Sequence, residues 1–114
     1  MLLVDGVMSL RFKGQTLVKP TAAIGPITYQ VIEDIRTFDK DTACVIVPFL
    51  DPNLFLLFGH LSLIVTEKGS VLSHLAILAL EHGIPVVLVS GIIKAVPPAG
   101  NMSLKNGKIL IHEE

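Results

Sequence analysis

Three short runs, Cys44–Phe49, Leu63–Thr66 and Pro85–Ser90, are apolar with almost none of the alternation expected of a strand with one wet face. A strand that is apolar on both sides must be covered on both sides, and sheets of that kind are typically parallel. Parallel neighbours need crossover connections, and the intervening sequence supplies them. Pro52 opens a segment to Gly59 that reads as a short helix, because a proline in the first turn gives up no hydrogen bond. Before the third run, Ser70 is expected as an N-cap, Val71–His82 as a helix and Gly83 as its stop, with Pro85 two residues on.

Both ends of the chain read differently. Asp5-Gly6 between Leu2–Val4 and Val7–Phe12, and Asn106-Gly107 between Met102–Lys105 and Lys108–His112, are dipeptides that accept the positive φ of tight hairpin turns. Leu17-Val18 reads as a short strand and Ala22–Ile35 as a longer one, after the interruptions at Pro20, Gly25 and Pro26. Arg36–Thr42 is polar and reads as a surface loop. The expected class is α/β, with a central, mostly parallel sheet and a smaller antiparallel sheet packed on it.

The chain of 114 residues fits one domain, residues 1–114. Its 51% hydrophobic and 17% charged residues, with a mean hydropathy of +0.68, exclude disorder. Nine Lys+Arg against ten Asp+Glu leave a net charge of −1, too little for a basic field aimed at nucleic acid or an anionic membrane. The longest near-apolar stretch, Leu54–Val65, is broken by Gly59, His60 and Ser62, short of the roughly 18–20 residues that span a bilayer. The first residues lack the basic and apolar regions of a signal peptide, so a cytoplasmic location is expected. The single cysteine, Cys44, excludes an internal disulfide and a multi-cysteine metal site, and reads as a small buried residue. Lys105 and Lys108 flank a turn and read as an ordinary solvated hairpin.

The stretch from Thr66 to His74 is where chemistry is expected. A strand ends, a loop with Gly69 and Ser70 follows, and Ser73-His74 enters the next helix. Ligands of open α/β sheets gather at the C-terminal ends of the strands. A helix N-terminus adds unpaired N–H groups and a partial positive charge, both of which favour an anion. A neutral imidazole is a nucleophile, and a phosphoryl group on it would be steadied by the N–H groups of Ser70–Ser73 and two hydroxyls. Helical spacing puts His74, Ile77, Leu78 and Glu81 on one face, turned away from the sheet, and Ala76, Ala79, Leu80 and Gly83 on the other. A Ser73–His74 nucleophile–base pair is discounted, since adjacent helix residues do not face each other and no nucleophile elbow surrounds them. His60, His82 and His112 show no metal-binding spacing with His74 and read as surface or helix-end residues; no metal site is expected.

Gly69-Ser70-Val71-Leu72-Ser73-His74-Leu75-Ala76-Ile77-Leu78-Ala79-Leu80-Glu81-His82-Gly83-Ile84-Pro85-Val86-Val87 resembles the phosphohistidine motif of the PEP-utilising enzymes. The flanks Val45–Phe49 with Asp51-Pro52, Ile64–Glu67 and Gly100–Ile111 resemble the same family, so the likeness runs from about Thr16 onward. The resemblance implies a swivelling β/β/α three-layer domain, the mobile part of enzymes such as PEP synthase and pyruvate phosphate dikinase. It implies that His74 is the nucleophile and carrier, that Gly69 gives the loop its turn, and that Ser70 and Ser73 lie at the phosphoryl group. The partners implied are nucleotide-binding and PEP- or pyruvate-binding domains, which would hold ATP and Mg²⁺; this chain would bind no cofactor and would not turn over alone. Ser70 and Leu80 replace the family's second glycine and its arginine. Leu80 favours the alternative, a non-catalytic interaction or regulatory module that keeps the fold. The apolar excess carries one more expectation: Leu72, Leu75 and Leu80 should form an exposed patch beside His74.

Overall fold

The computed structural model describes residues 2–4 and 7–113. Its strands, in chain order, are β1 (Leu2–Val4), β2 (Val7–Lys13), β3 (Gln15–Val18), β4 (Ile24–Val31), β5 (Cys44–Val47), β6 (Leu63–Thr66), β7 (Val86–Leu88), β8 (Ala99–Lys105) and β9 (Lys108–Glu113). The three buried runs of the sequence are β5, β6 and β7, and they lie side by side and parallel, with β4 parallel to β5.

Among the described residues, the separate antiparallel sheet expected from the two hairpins is not present. All the strands form one sheet in the order β1-β2-β9-β8-β4-β5-β6-β7-β3. The reason lies in β4, which uses both edges: it pairs parallel with β5 and antiparallel with β8, so the hairpin strands continue the parallel sheet. The antiparallel pairing of β3 with β7 extends the other end.

This sheet cannot be flat. β2 and β3 are joined by Gly14 alone, yet they stand second and ninth in the strand order, so the sheet curls until its two ends approach. Gly14 is the joint: its N–H donates to the Gly107 carbonyl at 3.0 Å. A Cβ on it would lie 2.2 Å from Cγ1 of Val87 and 3.1 Å from Cγ2 of Val89.

Two apolar clusters use alternate residues of the central strands. Val45, Val47, Ile64 and Val86 join Leu54, Leu57, Leu75, Ala76 and Ala79 beneath the helical connections. Cys44, Ile46, Leu63, Val65 and Val87 join Tyr29, Met102, Leu104, Ile109 and Ile111 on the sheet's inner face. Strands covered on both sides have no wet face to encode, which is why these runs lack alternation. Each fully buried Leu or Ile contributes about 1.5–3 kcal/mol relative to exposure.

β5, β6 and β7 step across the sheet in one direction, and the two connections between them pack on the same face, as crossovers of one hand require. The first is a 3₁₀ helix, Pro52–Leu57, shorter than the expected Pro52–Gly59; Asp51 caps it by accepting from the Asn53 N–H at 2.8 Å. The second is α1 (His74–Glu81), which starts three residues later than expected. A short helix that the sequence did not announce, α2 (Ile92–Ala95), follows β7. The strand expected over Ala22–Ile35 is β4 alone, and Asp34 caps a 3₁₀ turn at Ile35–Thr37. Asn106 and Gly107 take φ of 53° and 76°, as a tight hairpin turn requires. The Asp5-Gly6 turn lies outside the described residues.

Candidate functional site

The loop from β6 to α1 is held at its start. The Glu67 N–H donates to the Val47 carbonyl at 3.0 Å, and the Thr66 hydroxyl donates to the Lys68 carbonyl at 2.6 Å. The Glu67 carboxylate accepts from the Ile93 N–H at 3.0 Å, tying this loop to α2. Gly69 then passes close over Leu50: a Cβ there would stand 2.8 Å from Leu50 Cδ1 and 3.5 Å from Leu17 Cδ1.

The two serines divide the work that the sequence assigns to one. Ser70 does not cap the helix. Its carbonyl accepts from the Ser73 N–H and its Oγ from the Leu72 N–H, both at 3.0 Å, closing a turn over 70–73. Ser73 is the N-cap, extended at φ −66°, ψ 145°, with its Oγ accepting from the Ala76 N–H at 3.3 Å. The Ser70–Ser73 turn displaces the helix start to His74 because it uses these residues' backbone groups in a non-helical arrangement.

His74 is consequently the first residue of α1, and it is exposed. Among the described residues, the N–H groups of His74 and Leu75 have no acceptor, as the geometry of a helix start dictates. Each serine hydroxyl accepts a backbone bond and keeps its own proton to donate. The site therefore presents an accessible imidazole with N–H and O–H donors and the positive end of a helix dipole beside it, a setting suited to an anionic group. Gly69, Ser70, Ser73 and His74 all belong to this one loop and helix start.

On α1, Leu75, Ala76 and Ala79 are buried against the sheet, while Ile77 and Glu81 are exposed and Leu78 is half-buried. The expected sheet-side face needs correction at Leu80, which is 66% exposed; Leu75, expected in the exposed patch, is 1% exposed, so the helix turns Leu75 inward in place of Leu80. Of the patch expected from Leu72, Leu75 and Leu80, only Leu72 is exposed near His74: Leu75 is buried, and Leu80, though exposed, lies at the other end of α1. Leu72 is 82% exposed, and Val71 and Phe49 are more than half exposed on neighbouring loops.

Leu80 is six residues beyond His74, roughly 9 Å along the helix and on another face. It lines a separate groove with Lys19, Pro20, Phe58 and His82. The position that carries the family's arginine therefore lies at the far end of α1 from the imidazole.

The other histidines have structural roles. His82 Nδ1 lies 2.9 Å from the Leu78 carbonyl, and its ring meets Phe55 and Phe58 edge-on. His60 packs on Phe38, and His112 Nε2 lies 2.8 Å from the Ser103 hydroxyl. No group of three His, Cys, Asp or Glu able to hold a metal ion occurs among the described residues. Cys44 is fully buried, and burial pushes its thiol well above the ordinary range. Among the described residues, no helix is long and apolar enough to cross a membrane. Glu67 is the one bracing residue that sequence reasoning missed; its partner lies 26 residues away on an element that the sequence does not announce.

An α/β domain with an exposed histidine at the start of a crossover helix, beyond the C-terminal ends of parallel strands, belongs to a recognisable class. The chain is a member of the family of PEP-utilising enzyme mobile domains, whose profile matches residues 39–111 and so takes in the central strands, the Gly69–His74 loop and α1. The fold is also similar to the solution structure of a UPF0107 protein, with a TM-score of 0.59 and 16% identity over 91% of this chain and 100% of that one. No curated protein matched the sequence.

Proposed function

We propose that the chain is a phosphohistidine carrier, in which His74 takes a phosphoryl group at one site and delivers it at another. A lone pair of a ring nitrogen forms the N–P bond while the donor's P–O bond breaks, and the leaving oxygen departs with that electron pair. In the second transfer an acceptor oxygen attacks the same phosphorus and the N–P bond breaks, returning the imidazole. While the group is held, the Ser70 and Ser73 hydroxyls and the first N–H groups of α1 are its donors.

The observation that carries this reading is the placement of His74: exposed, first in α1 and immediately after the Ser73 cap. Donor and acceptor sites belong to separate nucleotide-binding and PEP- or pyruvate-binding domains, with ATP and Mg²⁺ held by the former. Leu72, Val71 and Phe49 supply apolar surface for transient docking on each. The location of Leu80 at the far end of α1 supports an intact centre, since its side chain is not among the groups around the imidazole.

The test is phosphorylation with PEP and the PEP-binding domain of a family enzyme, shown competent on its own mobile domain. The expected result is an acid-labile, base-stable phosphate on this chain that is lost in His74→Ala. If the competent partner binds the chain but transfers no label, the carrier reading fails and the interaction-module reading replaces it.

A further inference from the structure

The chain carries nine Lys+Arg, and four of them stand together on the outer face of β2, β9 and β8. Alternate residues of these strands, Leu10, Phe12, Met102, Leu104, Ile109 and Ile111, belong to the inner cluster, so Arg11, Lys13, Lys105 and Lys108 project outward, and all four are exposed. The register arranges them in rows. Lys105 is opposite Lys108, and Lys108 is opposite Lys13, so three ammonium groups cross three strands side by side. In the adjacent outward row, Ser103 is opposite Leu110 and Leu110 opposite Arg11.

Directly opposed like charges weaken a sheet. Among the described residues no carboxylate pairs with them: residues 9–13, 99–105 and 108–112 contain no Asp or Glu, and the ion pair found there, Arg36–Asp34, lies elsewhere. A repulsive row kept in a chain of net charge −1 is a local conflict of the kind that marks function. Beside the row is a hollow of about 250 Å³ lined by Arg11, Ser103, Lys105, Asn106, Lys108 and Leu110. Its polar side chains are a guanidinium fork, two ammonium groups, a hydroxyl and an amide, the set that recognises phosphate oxygens.

We infer that this face is a binding site for a condensed phosphate, a di- or triphosphate group lying along the Lys105–Lys108–Lys13 row with Arg11 over it. Cross-strand neighbours stand roughly 5 Å apart, so the row offers several charges within the length of one such anion. The site is independent of His74: Leu104 is opposite Ile24, the first residue of β4, so the row lies toward the N-terminal ends of the parallel strands and His74 beyond their C-terminal ends.

The test is titration of the chain with inorganic triphosphate at low salt, followed by amide NMR and calorimetry. Saturable binding is expected, with shifts centred on Arg11, Lys13, Ser103 and Lys105–Lys108, weakening as salt is raised. The double variant Lys105→Ala, Lys108→Ala should bind at least tenfold more weakly and, without ligand, melt no lower than wild type; His74→Ala should bind as wild type does. No saturable binding, or shifts centred on residues 69–75, would overturn the inference. Binding of a polyglutamate peptide in place of triphosphate would also overturn it, and would assign the face to an acidic protein partner.

Discussion

The carboxylate of Glu67 accepts a hydrogen bond from the backbone N–H of Ile93 at 3.0 Å, joining the strand end that leads to the His74 loop to the start of α2. The bond satisfies one of the donors that a helix N-terminus leaves unpaired, and the acceptor's charge suits that end of the helix. Glu67→Ala should therefore cost about 1–2 kcal/mol, while Glu67→Gln keeps an acceptor and should cost less. Hydrogen exchange at Ile93 should quicken in the order wild type, Gln, Ala. Equal exchange in all three would show that the carboxylate braces nothing.

Gly14 makes a second long-range join. Its missing side chain leaves room for Val87, whose Cγ1 would stand 2.2 Å from any Cβ at position 14. Val87 is fully buried and the Leu88 carbonyl is 3.2 Å from the same point, so the added methyl has little room to shift. Gly14→Ala should destabilise by about 1–3 kcal/mol through overpacking. Trimming the neighbour should return part of that loss, so the Gly14→Ala, Val87→Ala double variant should be more stable than the two single losses sum to. Additive losses in urea unfolding would refute the contact.

These two contacts also mark the boundary of what the sequence makes legible. Asn106-Gly107 and the three apolar runs were readable because their signals are local: a dipeptide that accepts positive φ, and segments with no wet face. The single curled sheet was not, because it depends on Gly14 meeting Val87 and on β4 pairing along both edges, and neither relation leaves a periodic mark. At the candidate site, the start of the helix was legible to within three residues. Ser70 and Ser73 are chemically equivalent cap candidates, and the choice between them rests on the turn that Ser70 closes. Lys105 and Lys108 looked ordinary in sequence because Lys13, nearly a hundred residues away, completes their row only through the β2–β9 register.

Cys44 gives a pH dependence. Burial raises its thiol in the folded state, so between the ordinary thiol range near 8.5 and the raised folded value only the unfolded chain ionises. The unfolded state then binds fewer protons, and stability falls as pH rises through that window. Comparison with Cys44→Ala isolates the effect: the wild type should lose stability relative to the variant between about pH 8 and 10. Alkylation of native protein at pH 8 should be slow and should accelerate on denaturation. Rapid modification of the folded chain would contradict the burial.

Ser73 caps α1, and under the proposed carrier reading it would also face the phosphoryl group on His74, two roles that substitution can separate. Loss of the cap in Ser73→Ala should cost about 1 kcal/mol, read as a lower urea midpoint. Ser73→Asp retains a cap acceptor for the Ala76 N–H and suits the helix dipole, so its stability should stay near wild type. The same carboxylate, however, puts a negative charge beside an incoming phosphoryl group and removes a hydroxyl donor. If His74 carries phosphate, Ser73→Asp should be stable yet label at least tenfold more slowly, whereas Ser73→Thr should retain both properties. Wild-type labelling in the Asp variant would show that Ser73 only caps the helix, and would move the phosphoryl contacts to Ser70 and the backbone N–H groups of His74 and Leu75.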